Sequence, residues 1–164
     1  MRTKQATARW TVQRQSLILG VGGEKVYEAR VDGVLRSRGG EVKAIVEVKP
    51  CTRSSKPKEI RWQEAAQMAA WICSHPPSAG ELLEMREKNK KARRLLVSQD
   101  MCEIYLTLAE FDADYVDYVC GKDTEIQSFL RMNEYGPFDT RLSKQMKALG
   151  HLLLAFTINE SLRV

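Results

Sequence analysis

Runs of alternating or continuous apolar residues are separated along the chain by clusters of glycine, proline and charge, and that punctuation predicts the elements. From Thr11 to Val21 the pattern is mixed, and helix and strand both fit it, up to the turn "GVGGE". Val26 to Leu35, rich in valine and tyrosine, predicts a strand, "SRGGE" a loop, and Val42 to Val48 the returning strand of a β-hairpin. In that second strand Val42, Ala44, Val46 and Val48 share one apolar face. Lys43, Ile45, Glu47 and Lys49 share the other, because successive side chains alternate across a strand. Pro50 ends the ladder by removing a donor.

A polar, basic loop, "CTRSSKPKE", leads into "EIRWQEAAQMAAWICSH", whose alanines and helical spacing of Ile60, Gln63, Gln67 and Trp71 predict a strong helix. "PPSAG" stops it, and Glu81 to Lys91 reads as a short charged connector helix. "ARRLLVSQD" and "CEIYLTLAEF" predict two strands around a short turn. "DADYVDYVCG" fits a strand or irregular structure, and "FLRMNEYGPFD" a loop with a Gly-Pro turn. Thr140 to Ile158 predicts a C-terminal helix, amphipathic at first and buried later. The expected architecture is α/β (α+β), a mixed central β-sheet flanked by helices.

With 164 residues the chain fits a single domain, 1–164, either complete or cut from a longer protein. A charged fraction of 29% and a hydrophobic fraction of 43% are globular values and argue against disorder. The formal charge of +5 suits a polyanionic partner without establishing one. Cys51, Cys73, Cys102 and Cys120 form no C-x-x-C pair, which disfavours a structural zinc site and suggests reduced thiols in a nuclear or cytoplasmic setting. The start "MRTKQATARW" lacks the apolar segment of a secretory signal, and "LGHLLLAFTI" is too short to span a bilayer, so no membrane partner is expected. No phosphate-binding glycine loop and no Ser-His-Asp order is present; "GVGGE" lacks the lysine and the spacing.

The hairpin carries the candidate chemistry. Asp32 and Glu47 come from neighbouring strands, and a plausible register lets their carboxylates converge as a hard-oxygen site of the kind Mg²⁺ prefers. The backbone carbonyl of Val48 can add a third ligand. Lys49 projects from the same face as Glu47, where an ammonium can position a water or offset charge on a phosphate. The competing reading is an exposed hairpin face with a weak cross-strand salt bridge.

Asp32, a gap of fourteen residues, and then "EVK" on a second strand resemble the PD-(D/E)XK nuclease superfamily. Asp32 matches the motif acid, Glu47 and Lys49 the E-x-K, and Gly33 the Asp-Gly of the recombination-exonuclease branch. That branch carries Gln-x-x-x-Tyr on the next helix, and "QMAAW" offers Gln67 with Trp71 in place of the tyrosine, while "QEAAQ" offers Gln63. "YEARVDGVL", "EVKP" and "QEAAQMAAWI" together look most like nuclease-like domains of filamentous fungi. The resemblance covers residues 24 to 73 and implies a restriction-endonuclease-like fold. It also implies hydrolysis of phosphodiesters, in DNA rather than RNA, with Mg²⁺ or Mn²⁺ on Asp32, Glu47 and the Val48 carbonyl. Lys49 would stand near the attacking water, with Gln67 or Gln63 in support.

One departure matters: many members have a glutamate on a first helix, and "RWTVQRQSLILGV" holds no acid. Glu24 or Glu28 could substitute, but Glu28 is four strand residues from Asp32, roughly 13 Å at strand rise, and reaches the same metal only if the strand bends. The alternative is therefore a nuclease-like domain without catalysis, used for nucleic-acid binding or protein assembly, including a homo-oligomer or further domains. Arg53, Lys56, Lys58 and Arg61 are either phosphate contacts beside the site or a solvated turn. Trp62 and Trp71 are expected in the core rather than as base-stacking platforms.

Overall fold

The structure is a computed structural model and describes residues 8–123 and 125–162. The basic start of the chain, 1–7, lies outside the described residues. Among the described residues eight strands and four helices follow in the order β1 (Arg9–Thr11), β2 (Gln15–Val21), β3 (Glu24–Val31), β4 (Gly33–Arg36), β5 (Val42–Lys49), α1 (Pro57–Ser74), α2 (Ala79–Glu87), β6 (Ala92–Asp100), β7 (Glu103–Phe111), α3 (Ala113–Val119), β8 (Arg131–Asp139) and α4 (Ser143–Leu162). A six-stranded mixed sheet runs β1-β4-β5-β6-β7-β8, and β2 and β3 form a separate two-stranded sheet. The α+β class expected from the sequence is the one observed.

The central event is the crossover from β5 through α1 and α2 to β6, which pairs parallel to β5 with Ala44 opposite Leu95 and Lys49 opposite Asp100. Parallel neighbours cannot be joined by a tight turn, so the connecting helix must lie across one sheet face. Trp71, Met68 and Ile72 of α1 pack there with Ile45, Leu96 and Phe111. The opposite face carries a second core, in which Leu149 and Leu153 of α4 meet Leu35, Ala44, Leu95, Val97 and Leu106. Trp10 Nε1 donates to Thr157 Oγ1 at 3.0 Å and ties β1 to α4. The β2–β3 hairpin braces the outer side of α1, with the Tyr27 hydroxyl donating to the Ala66 carbonyl at 2.7 Å.

Several elements differ from the sequence reading. The mixed segment 11–21 contains a strand, β2, because Leu17 is buried against the core while its neighbours face outward. The single strand expected over Val26–Leu35 breaks at Asp32: β3 pairs with β2, and only β4 pairs with β5. Residues 112–121 hold a helix, α3, whose start is capped by Asp112 accepting from the Tyr115 amide at 2.8 Å. The segment read as a Gly-Pro loop is β8, paired with β7 at the sheet edge, where a proline's missing donor costs no ladder bond. Trp71 is in the core as expected, whereas Trp62 is 71% exposed, because it projects from the α1 face opposite the sheet. The late part of α4 was expected to be buried, yet Leu152, Leu154, Ile158 and Leu162 are exposed. Among the described residues no helix is long and apolar enough to cross a membrane.

Gly33 has a steric reason to follow Asp32. A Cβ there would lie 2.5 Å from the Thr11 carbonyl oxygen, because β1 pairs closely with β4. Gly33→Ala is therefore expected to lower unfolding free energy by about 1–3 kcal/mol, measured by urea denaturation, as β1 is pushed off its neighbour.

Candidate active site

Asp32 occupies the bend between the two sheets. Its amide donates to the Val46 carbonyl at 2.9 Å, and its Oδ2 accepts from the Val48 amide at 3.0 Å. The carboxylate thus takes a place that a backbone acceptor fills in a regular ladder. Oδ1 meets Arg14 Nε at 3.3 Å, and the side chain stays one-third exposed. It borders a recess of about 370 Å³ lined by Trp10, Val12, Arg14, Val46 and Val48 among others.

Glu47 lies under α1, near enough to Asp32 to feel its charge. Gln63 Nε2 donates to its Oε1 at 2.6 Å and Gln67 Nε2 to its Oε2 at 2.7 Å. Gln67 Nε2 also reaches the Arg30 carbonyl at 3.0 Å, while Gln67 Oε1 is buried without a partner. These glutamines are four residues apart, so one helix face presents both amides to one carboxylate. Burial raises the pKa of Glu47, and the Asp32 charge adds to that rise. The Gln67 hydrogen bond, the Lys49 charge and the Gln63 hydrogen bond oppose it.

Alternation along β5 places Lys49 on the same face as Glu47, as expected, but that face is not the wet one. Glu47 and Lys49 are buried, and Val48 of the supposed apolar face is half-exposed. The Lys49 ammonium donates to Glu64 Oε1 at 3.2 Å and to Ser98 Oγ at 3.1 Å, and stands 3.8 Å from Asp100. Its hydrogen bonds lead into a buried polar cluster.

Arg53 completes that cluster. Its guanidinium donates to Asp100 at 2.8 Å, to Glu64 and to Glu134, and lies 4.1 Å over the Tyr105 ring. Burial would lower its pKa, but the hydrogen bonds and charges of Asp100 and Glu64 outweigh that and raise it. Two cations and the buried Glu64 and Asp100, with Glu134 at the margin, neutralise one another beneath α1. Arg53 is only 5% exposed, so the phosphate contact suggested by its place in the basic loop is not open to it. Lys56, Lys58 and Arg61 are exposed. Arg61 precedes Gln63 by two residues, a turn of about 200° around α1, so it projects from the far side of the helix from Glu47.

Sequence reading missed Glu64, Ser98, Asp100 and Glu134. A usable signal was present in "VSQD", where Ser98 and Asp100 keep a strand's two-residue period at the end of an apolar run. Glu28 does not join the site, since its carboxylate is taken by Lys25 and Arg30, which hold its pKa down at about 2. Among the described residues no group of three or more His, Cys, Asp or Glu side chains is placed to hold a metal ion. Comparisons with protein-family models, with characterised proteins and with solved structures find no match.

Two outcomes follow from this geometry. Arg53→Met leaves Glu64 and Asp100 short of a buried counter-charge and is expected to cost about 3–5 kcal/mol in chemical denaturation. The raised pKa of Glu47 means that its contribution to stability is complete below the ordinary value of 4.5 and is lost as pH rises through the folded-state value. Glu47→Gln is expected to melt higher than wild type at neutral pH, with the gap closing on acidification below that range.

Proposed function

We propose that this chain is a metal-dependent nuclease domain of the PD-(D/E)XK class with a restriction-endonuclease-like fold, hydrolysing phosphodiester bonds in DNA rather than RNA. The observation that carries the reading is Glu47, a carboxylate desolvated beside Asp32 and aimed by the Gln63 and Gln67 amides. A protein that holds an ionisable group at this cost in solvation commonly uses it.

The residues present fit a divalent ion. Asp32 and Glu47 are hard oxygen donors, two carboxylates suffice for an ion that keeps several waters, and Gln67 Oε1 is a buried acceptor without a partner. Arg14 marks with its own positive charge that Asp32 attracts a cation. Mg²⁺ or Mn²⁺ bound there would lower the pKa of a coordinated water and offset charge developing on the phosphate. The chain's own residues do the rest: Gln63 and Gln67 fix the Glu47 carboxylate, and Lys49 supplies positive charge next to it. Exposed Lys56 and Lys58 at the start of α1 offer phosphate contacts, and the four free thiols suit a nuclear or cytoplasmic setting.

A second reading, a nuclease-like domain that binds nucleic acid or assembles with protein without cutting, is favoured by one specific observation. The Lys49 ammonium is spent on Glu64 and Ser98 rather than pointed at the space between Asp32 and Glu47.

Calorimetric titration with Mn²⁺ separates the two. The nuclease reading expects saturable heat in wild type, weakened on acidification as Glu47 takes up a proton, and lost in Glu47→Ala. It also expects divalent-dependent cleavage that falls to background in Asp32→Ala and Lys49→Ala. Equal heats in wild type and Glu47→Ala, or undiminished cleavage in either variant after removal of contaminants, overturns it.

A further inference from the structure

At the other end of the β5–β6 pair lies a cavity of about 490 Å³ between the C-terminal end of α1, α2 and the start of β6. Arg94, which lines it, is six strand residues from Asp100, roughly 20 Å at strand rise, so the cavity is well separated from Glu47. Its walls include Trp71, Met85, Phe111 and Phe156, and its charged lining sets Glu41, Glu81, Glu84 and Glu160 against five lysines and arginines, Arg94 among them.

Two buried donors in this wall are unanswered. Trp71 is 1% exposed, and its indole Nε1 has no hydrogen-bond partner; neither has Arg94 Nη1. The guanidinium lies 4.5 Å over the Trp71 ring and 5.6 Å from that of Phe111, and its Nη2 donates to the His75 carbonyl. No carboxylate among the described residues comes within salt-bridge distance of Arg94. Glu41 and Glu81 act on it only through their more distant charge, and burial lowers its pKa to about 10. Those acids are engaged elsewhere, Glu41 by Lys43 at 2.8 Å and Glu81 by Ser78. Buried donors without acceptors are destabilising, so Arg94 Nη1 and the Trp71 indole each carry a desolvation cost, although the Arg94 side chain as a whole is only partly buried.

We propose that this cavity binds a small organic anion, its phosphate or carboxylate head accepting from Arg94 and Trp71 Nε1 and its apolar body lying against Met85, Phe111 and Phe156. Both donors are N–H groups, so the missing partner is an acceptor. A planar guanidinium matches a two-oxygen head, and the volume falls in the range of small-molecule sites. Because both donor atoms lie beneath the cavity surface, engagement draws the guanidinium outward and changes its stacking on Trp71. The site is independent of phosphodiester cleavage.

The test is titration of the ¹⁵N-labelled protein with phenyl phosphate, benzoate and inorganic phosphate at matched ionic strength, reading the three tryptophan indole signals. Trp62→Phe and Trp10→Phe assign them. A saturating shift of the Trp71 signal alone is expected, stronger for the aromatic probes than for inorganic phosphate, and the better aromatic probe identifies the headgroup. Arg94→Gln is expected to weaken binding on the order of tenfold or more, with Arg94→Lys between the two. No saturating shift, a shift shared equally by Trp62, or an undiminished response in Arg94→Gln overturns the site and leaves Arg94 a structural group whose neighbours are met by trapped water. Should Arg94→Gln fail to fold, the wild-type titration decides by the same Trp71-against-Trp62 criterion.

Discussion

Everything around the candidate site depends on one constraint: the charged face of β5 is covered by a helix. A parallel β5–β6 pair needs a crossover, the crossover is α1, and α1 lies on the face that carries Glu47 and Lys49. Charges taken from water must be paired or hydrogen-bonded. The chain answers with Glu64 on the helix, Ser98 and Asp100 on β6, and Arg53 folded back from the loop between β5 and α1. The β5–α1 loop is thereby anchored from inside, and α1 is held at the depth that brings Gln63 and Gln67 onto Glu47.

The two carboxylates of the hairpin are treated differently. Asp32 sits at a bend, partly exposed, tied to a backbone amide and to Arg14. Glu47 sits in the shelter of α1, pushed toward the protonated form by burial and held in place by two amides. Paired groups with divergent environments are the usual arrangement where a site must hold a cation or move a proton. The same helix, eight residues beyond Gln63, presents Trp71 to a second cavity, where the unsatisfied groups are donors, whereas the unsatisfied atom beside Glu47 is the Gln67 amide oxygen. One helix thus borders the Glu47 carboxylate near its start and the cavity at Arg94 near its end.

Much of the site was legible because it is local. "VDGVL" and "VEVKP" set an acid and an E-x-K on neighbouring strands, and the four-residue spacing of Gln63 and Gln67 needed only helical geometry. What escaped was long-range. Arg53 reads as one more basic loop residue, and only the approach of Asp100 and Glu134, 47 and 81 residues away, turns it inward. The segment over residues 112–121 reads ambiguously because its tyrosines and valines favour strand, while the Asp112 cap and the burial of Tyr115 and Val116 select a helix. β8 was hidden by Gly136 and Pro137, which an edge strand tolerates and a central strand does not.

By itself the sequence determined the alternation of β5, the long α1, the mixed α+β class and the presence of an acid beside an E-x-K strand, since each follows from residue spacing within one or two elements. The tertiary structure decided which face of β5 is buried, that the chain breaks at Asp32 to serve two sheets, and that Lys49 is committed to Glu64 and Ser98. Those outcomes arise from the crossover helix and from partners distant in the chain, and no local pattern specifies on which side of a strand a helix will come to rest.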